Sequence, residues 1–370
     1  MGGGCIYVNF NTDCDIYFVI FIIQEISLRF IGSKTLLLEN IRRVVNENVK
    51  NAEVFCDIFS GTTVVANYFK KDYKVISNDL LYFSYVIQKA IIENNTIPKF
   101  ANIPKISNPI DYLNNLTNTY LERMPVKKRF FQNNYSPLGS RMYLTEDNAL
   151  RIDFARNKVE DWHDKGYLNN NEYFYLIASI VEGIPFVSNI SGTYGAYHKK
   201  WDKRSFKKFE LKTFSIIDNK KKNKCYNTDG IELLKKISGD ILYIDPPYNE
   251  RQYLPNYHLL ETAAKYDNPV IKGITGQRDC AEREKSTFCN KNKAIISFEE
   301  MMKNAHFKHI ILSYSTEGIM KIKDIEHIMK KYGIIKTYKI YKIPYKRFKS
   351  RDQENKKELK ELLFYIEKDV

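Results

Sequence analysis

The sequence predicts an α/β protein. It should hold a doubly wound, mostly parallel sheet, interrupted by a mostly helical insertion and closed by a C-terminal antiparallel ribbon. Three observations carry this. Short apolar runs alternate with helical patterns from residue 52 to 96 and again after about residue 216, as in parallel strands covered by helices on both faces. Residues 97–215 break that alternation with loops, Pro98, Pro104, Pro109 and two helical patterns. The last two apolar runs, "IIKTYKIYKIPYK" and "KELLFYIEKD", lie close enough in sequence to pair with each other.

The elements follow in order. "GSKTLLLENIRRVVNENV" reads as a helix with Ser33 as N-cap and Leu37, Ile41, Val44 and Val45 on one face. "AEVFCDIF" is a buried strand, "TTVVANYFKK" a helix, "YKVISND" a strand and "LLYFSYVIQKAIIENN" a helix. Inside the insertion, "NALRIDFARNKVEDWHDKG" and "NNEYFYLIASIVEG" are helices. Alternation resumes with "KCYNTD", "GIELLKKI", "DILYID", "NYHLLETAAKYDN", "KHIILSYS" and "IKDIEHIMKKYG". The expected organisation is an N-terminal extension over 1–26, one domain made of 27–96 and 216–370, and an inserted domain over 97–215.

Within 1–26, "IYFVIFII" is too short to span a bilayer. The residues before it contain no Lys or Arg, so a secretory signal is not expected. This extension is either an extra strand or helix or the product of an early start codon. The six cysteines form no CxxC pair and no His cluster has metal spacing. Reduced thiols in a cytoplasmic protein, with no metal, are the expectation.

The formal net charge is +14, from 58 Lys and Arg against 44 Asp and Glu. It favours an acidic partner, and the densest cation run lies in the insertion. Residues 196–224 carry 11 Lys or Arg against 3 Asp or Glu. Tyr194, Tyr197, Trp201 and Phe206 lie in or beside it, so rings for stacking bases alternate with Lys199, Lys200, Lys203, Arg204, Lys207 and Lys208 for phosphates.

Three strand ends carry the chemistry. In "VFCDIFSGTTVVANYF" a strand ends in Asp57, and a small-residue turn holding Gly61 opens a helix, which lets a ligand approach the helix N-terminus. Asp79 ends the next strand, about 20 residues on, where an acid can accept from ribose hydroxyls. No Lys-Ser or Lys-Thr follows the glycine to hold a triphosphate. An adenosine ligand without phosphate points to S-adenosylmethionine. The third end is "DILYIDPPYNERQY". Pro246 and Pro247 fix φ and remove two N–H donors. The corner offers acceptors only, the Asp245 carboxylate and the Pro246 carbonyl, and suits a substrate that brings an exocyclic amine. Tyr248 supplies a ring for a base to stack on.

These motifs, in this order, resemble the DPPY-type adenine-N6 DNA methyltransferases of the Dam-like alpha group. The likeness implies a fold of the S-adenosylmethionine-dependent methyltransferase type. "RFIGSK" resembles the segment whose Lys, here Lys34, helps hold the methionine end of the cofactor. "DIFSGT", with Asp57, Phe59 and Gly61, resembles the methionine-side lining. "SND" makes Asp79 the ribose ligand, and "NTDG" places Asp229 near the cofactor adenine. "DPPY", residues 245–248, is the catalytic signature, and Asp245 also borders the cofactor. "ERQYLPNYHLLE", with Arg251 as a DNA contact, and "ILSYSTEG" resemble the motifs that follow. The insertion stands where the group keeps its target-recognition region. One departure is Thr63, where the family usually has Gly.

The resemblance implies methyl transfer from S-adenosylmethionine to N6 of a flipped adenine in double-stranded DNA. A separately acting restriction endonuclease is the expected companion, and no membrane is involved. Adenine methylation of RNA and a catalytically inactive DNA-binding relative stand as alternatives. A cytosine-N4 enzyme usually has Ser in place of Asp245.

Overall fold

The computed structural model describes residues 6–9, 33–344 and 360–370. Strand β1 (Ile6–Asn9) lies in the N-terminal extension; "IYFVIFII" falls outside the described residues. Helix α1 (Leu38–Asn48) buries Leu38, Ile41, Val44 and Val45, the face that their spacing predicts. Its start differs from expectation. The Ser33 hydroxyl meets the Thr35 hydroxyl at 2.9 Å and caps nothing. A 3-10 turn, Thr35–Leu37, leads in instead, with Leu37 N–H donating to the Lys34 carbonyl.

The alternation then runs β2 (Val54–Asp57), α2 (Val64–Phe69), β3 (Lys74–Asn78) and α3 (Tyr82–Gln88), the last continuing as a π-turn to Glu93. Residues 97–215 carry α4 (Glu146–Asp164) and α5 (Asn170–Gly183) with several short helical turns. Beyond them come β4 (Lys224–Tyr226), α6 (Gly230–Leu234), β5 (Ser238–Ile244) and α7 (Leu254–Lys265). The chain ends its alternation with α8 (Ala294–Asn304), β6 (His306–Ser315), α9 (Ile322–Tyr332), β7 (Lys339–Pro344) and β8 (Lys360–Glu367). Helix α8 is absent from the sequence reading, although Ala294, Phe298, Met301 and Met302 form a buried helical stripe.

One sheet has the order β1-β7-β8-β6-β5-β2-β3-β4. Every neighbouring pair is parallel except the two made by β8, which runs antiparallel to β6 and β7. That is the expected closing ribbon. The chain steps outward from β2 through β3 to β4 and returns to β5 on the other side of β2. Between β2 and β5 the winding reverses, and in open α/β sheets ligands bind outside the carboxyl ends at such a point.

Both faces are covered, so neighbours along a strand serve different cores. Ile241 and Tyr243 of β5 pack with α1 and α2, whereas Leu242 and Ile244 pack with α6, α8 and α9. A third core joins residues 97–215 to the helices on the sheet. Phe131, Tyr143, Trp162 and Tyr175 belong to the same buried cluster as Phe83 and Val86 of α3 and Tyr257 and Leu260 of α7. Among the described residues no helix is long and apolar enough to cross a membrane.

Candidate active site

Register places the chemistry. Asp57 pairs with Ser77 of β3 on one side and Tyr243 of β5 on the other, so the carboxyl ends of β2, β3 and β5 finish side by side. Asp57, Asp79 and Asp245 therefore meet at one edge. Pro246 and Pro247 end β5 because neither can donate to a ladder. The Tyr248 carbonyl accepts from Ile319 N–H at 3.0 Å and fixes the corner. The cleft outside these ends, together with the solvent space it opens onto, measures about 1090 Å³. Lys34, Asp57, Phe59, Gly61, Asp79, Asp229, Asp245, Pro246, Pro247 and Tyr248 all line it.

The turns hold these groups by their own hydrogen bonds. Asp79 Oδ2 accepts from Gly61 N–H at 2.8 Å and Oδ1 from Leu81 N–H at 2.9 Å, tying the first turn to the second strand end. Asp229 Oδ1 caps α6, accepting from the Ile231 and Glu232 N–H groups. Phe59 packs edge-on against Phe288 with centroids 5.3 Å apart. Thr63 sits at φ 65 and is fully buried. A side chain in this left-handed region costs about 1–2 kcal/mol. Thr63 is not part of the cleft lining, and its hydroxyl donates to the Thr62 carbonyl at 2.5 Å. The departure from Gly strains the turn without filling ligand space.

Lys34 joins two carboxylates. Its Nζ lies 3.1 Å from Asp245 Oδ1 and 2.8 Å from Glu361 Oε1. Burial alone would lower the Lys34 pKa, but Asp245 and then Glu361 outweigh it and hold the ammonium charged well above its usual range. Burial pushes Asp245 up to about 6 against the pull of Lys34. Asp79 is likewise pushed up to about 6 by burial, opposed by its two backbone donors. Asp57 is pushed furthest, to about 8, by burial and then by the nearby Asp245 charge. Its Oδ2 accepts from Ala66 N–H at 3.2 Å, while Oδ1 is buried with no hydrogen-bond partner among the described residues.

A folded pKa above the unfolded one means that stability is present at low pH and is lost as pH rises through the folded value. For Asp57 that window runs from about 4 to about 8. Asp57→Asn mimics the protonated form. Its denaturation midpoint in ligand-free protein should come closest to wild type at the low end of that window, near pH 4, and exceed it increasingly up to pH 9. Parallel midpoints across that range would show that Asp57 is ionised throughout.

Several residues in the cleft or behind it are not singled out by the sequence reading, and Glu361, which touches Lys34 without lining the cleft, is one. Glu361 on β8 lies 327 positions from Lys34. Its only signal is one acid at the head of the apolar run "ELLFYI". The loop after α7 also contributes Glu284, Ser286 and Phe288. Gln252 binds Ser286 through both ends of its amide, accepting from N–H at 2.9 Å and donating to the carbonyl at 3.0 Å. This ties the loop beside the Pro-Pro corner, and no periodicity announces it.

None of the expected DNA contacts lines the cleft, but their loop is docked onto the helix that borders it. Tyr194 N–H donates to the Asn256 carbonyl at 2.8 Å, and the Tyr194 carbonyl lies 2.9 Å from His258 Nε2 on α7. Lys199, Lys200, Lys203 and Lys207 are exposed. Arg204 is half-buried, donates to the Ile190 carbonyl and sits near Asp202, and Lys208 donates to the Asn114 carbonyl. Tyr197 packs edge-on against Tyr143 at 4.9 Å. Trp201 is half-buried beside the exposed Phe206. Arg251 is exposed, next to the Pro-Pro corner in sequence.

A doubly wound sheet brings acids at three adjacent strand ends and an Asp-Pro-Pro-Tyr corner to one cleft, which leaves the reaction class open. Comparison with known proteins narrows it. Residues 30–328 match the family model described as D12 class N6 adenine-specific DNA methyltransferase, and the chain belongs to that family. It is 50% identical over 349 residues to the type II methyltransferase M.FokI of Planomicrobium okeanokoites, covering 93% of this chain and 53% of that protein. It is 45% identical to modification methylase StsI of Streptococcus sanguinis, covering 92% and 52%. It is 35% identical to the type II methyltransferase M.NlaIII of Neisseria lactamica, covering 89% and 95%. The chain thus spans about half the length of the first two relatives and nearly all of the third. The sheet is consistent with a methyltransferase fold.

Proposed function

We propose that this protein transfers a methyl group from S-adenosylmethionine to N6 of an adenine flipped out of duplex DNA. It would act as the modification enzyme of a type II restriction-modification system, apart from its endonuclease. The observation that carries this reading is the convergence of Asp57, Asp79 and Asp245 on one cleft with Lys34 and the Pro-Pro corner. The order of its motifs favours the Dam-like alpha group, with 97–215 as the target-recognition region.

The residues present fit the cofactor. Asp79 has lone pairs left for ribose hydroxyls, and the unpartnered Asp57 Oδ1 awaits a donor or a cation. Lys34 is the cation for a carboxylate end. When bound, S-adenosylmethionine supplies a methyl group on a sulfonium centre. The chain's task is to make N6 a nucleophile. An aromatic amine is a poor one, since its lone pair is delocalised into the ring. If both N6 hydrogens donate to Asp245 and the Pro246 carbonyl, the nitrogen turns tetrahedral and its lone pair points at the methyl. Positioning of this kind lowers the barrier without a strong base. N6 cannot reach such a corner from inside a duplex, so the base must leave the stack, and Tyr248 then stacks on it.

Sequencing DNA from cells that express the protein, with a readout of modified bases, tests the proposal. The expected result is N6-methyladenine at one short recurring sequence. Unmodified DNA together with purified, folded protein that binds S-adenosylmethionine would sink it.

A further inference from the structure

Glu361 lies near the start of β8, and the five residues that follow it, Leu362 to Ile366, are apolar and buried. It is 7% exposed. An ionised group in such a place is costly, and replacing a buried ion pair with apolar side chains is often neutral or stabilising. Fold stability therefore gives a weak account of it. Its contacts give a better one. Glu361 Oε1 takes Lys34 Nζ at 2.8 Å and the Ser313 hydroxyl at 3.1 Å, while the same Nζ reaches Asp245 Oδ1 at 3.1 Å. Lys34 is thereby strung between a strand that does no chemistry and the carboxylate of the catalytic corner.

We propose that Glu361 is a positioning residue for methyl transfer: it anchors the Lys34 ammonium against one oxygen of Asp245 and shares its charge. This inference rests on the function proposed above. Two consequences follow from the geometry. The contact fixes the rotation of the Asp245 carboxylate, which the N6 hydrogens must meet in line. Sharing also limits how much of the ammonium's pull falls on Asp245. Without Glu361, Lys34 has only Asp245 to satisfy it. That tighter pair would draw charge from the oxygens that must accept from N6. Glu361 also leaves the Lys34 group with one excess negative charge, which opposes an incoming carboxylate. Removing it should cost turnover and spare cofactor binding, two effects that a loosened fold would not separate.

The test is Glu361→Gln in the full chain, which keeps the size of the side chain and removes its charge. Turnover on duplex DNA containing the methylated site and S-adenosylmethionine affinity by calorimetry are measured together. The expected result is a kcat lower by about tenfold, the worth of one charged hydrogen bond in the transition state, with cofactor binding unchanged or tighter. Glu361→Asp, which restores the carboxylate, should recover most of the lost kcat. Unchanged kcat in Glu361→Gln, or a loss matched by equally weakened cofactor binding, would overturn the proposal. So would an Asp variant no better than Gln. A wild-type protein that methylates no DNA would instead overturn the reading on which this one stands.

Discussion

Asp245→Asn is expected to lower methyl transfer by roughly 10²–10³, the usual effect of removing one group aimed at the reacting atoms. Asparagine has the same size, so the corner made by Pro246 and Pro247 is kept. It can present an amide N–H where the N6 hydrogens need an acceptor, and it removes the charge that Lys34 meets at 3.1 Å. Lys34 keeps Glu361 at 2.8 Å and is not stranded. Binding of S-adenosylmethionine and of DNA should therefore survive. Single-turnover methylation by purified variant and wild type is the measurement. Near-normal turnover by a folded Asn variant would remove Asp245 from the site.

The second large effect is expected on DNA binding. Replacing Lys199, Lys200, Lys203 and Lys207 together with Gln should make the plot of log affinity against log salt shallower by about 3–4 units and lower affinity by roughly 10³ near 0.1 M salt. All four side chains are exposed. Arg204 and Lys208 are left out because they bind the Ile190 and Asn114 carbonyls, so their loss would also unsettle the loop. S-adenosylmethionine binding should not change, since none of the four lines the cleft. Equal salt slopes for variant and wild type would make the run a solvated face.

What the sequence conveys well is the sheet. Strands β2, β3 and β5 are apolar runs that end in acids, and both the period and the ends can be read from the letters. The helix faces follow in the same way, as with Ile41 and Val44. The site was legible as far as it is local. Asp57, Asp79 and Asp245 each end a strand, and a parallel sheet must bring such ends to one edge. Glu361 was not legible, because the antiparallel return of β8 beside β6 sets it against Lys34, 327 positions away in sequence. Helix α8 was overlooked although its buried stripe is regular. The basic run was legible as charge alone; that Arg204 and Lys208 are tied to the Ile190 and Asn114 carbonyls depends on the fold.

The core that joins residues 97–215 to α3 and α7 bears on how chimaeras of relatives could be built. Exchanging residues 97–215 between relatives, as one would trade a cassette, would cut through a single packed interior. Phe131, Tyr143 and Tyr175 would leave while Phe83, Val86, Tyr257 and Leu260 stayed behind. Packed interiors tolerate volume mismatch poorly. The polar clasp would part as well, because the Asn256 carbonyl and His258 ring that hold Tyr194 stay on α7. The natural unit of exchange is therefore discontinuous: residues 97–215 together with the facing side chains of α3 and α7. A chimaera designed along that seam would carry its own lining with it and meet the sheet only through the strands.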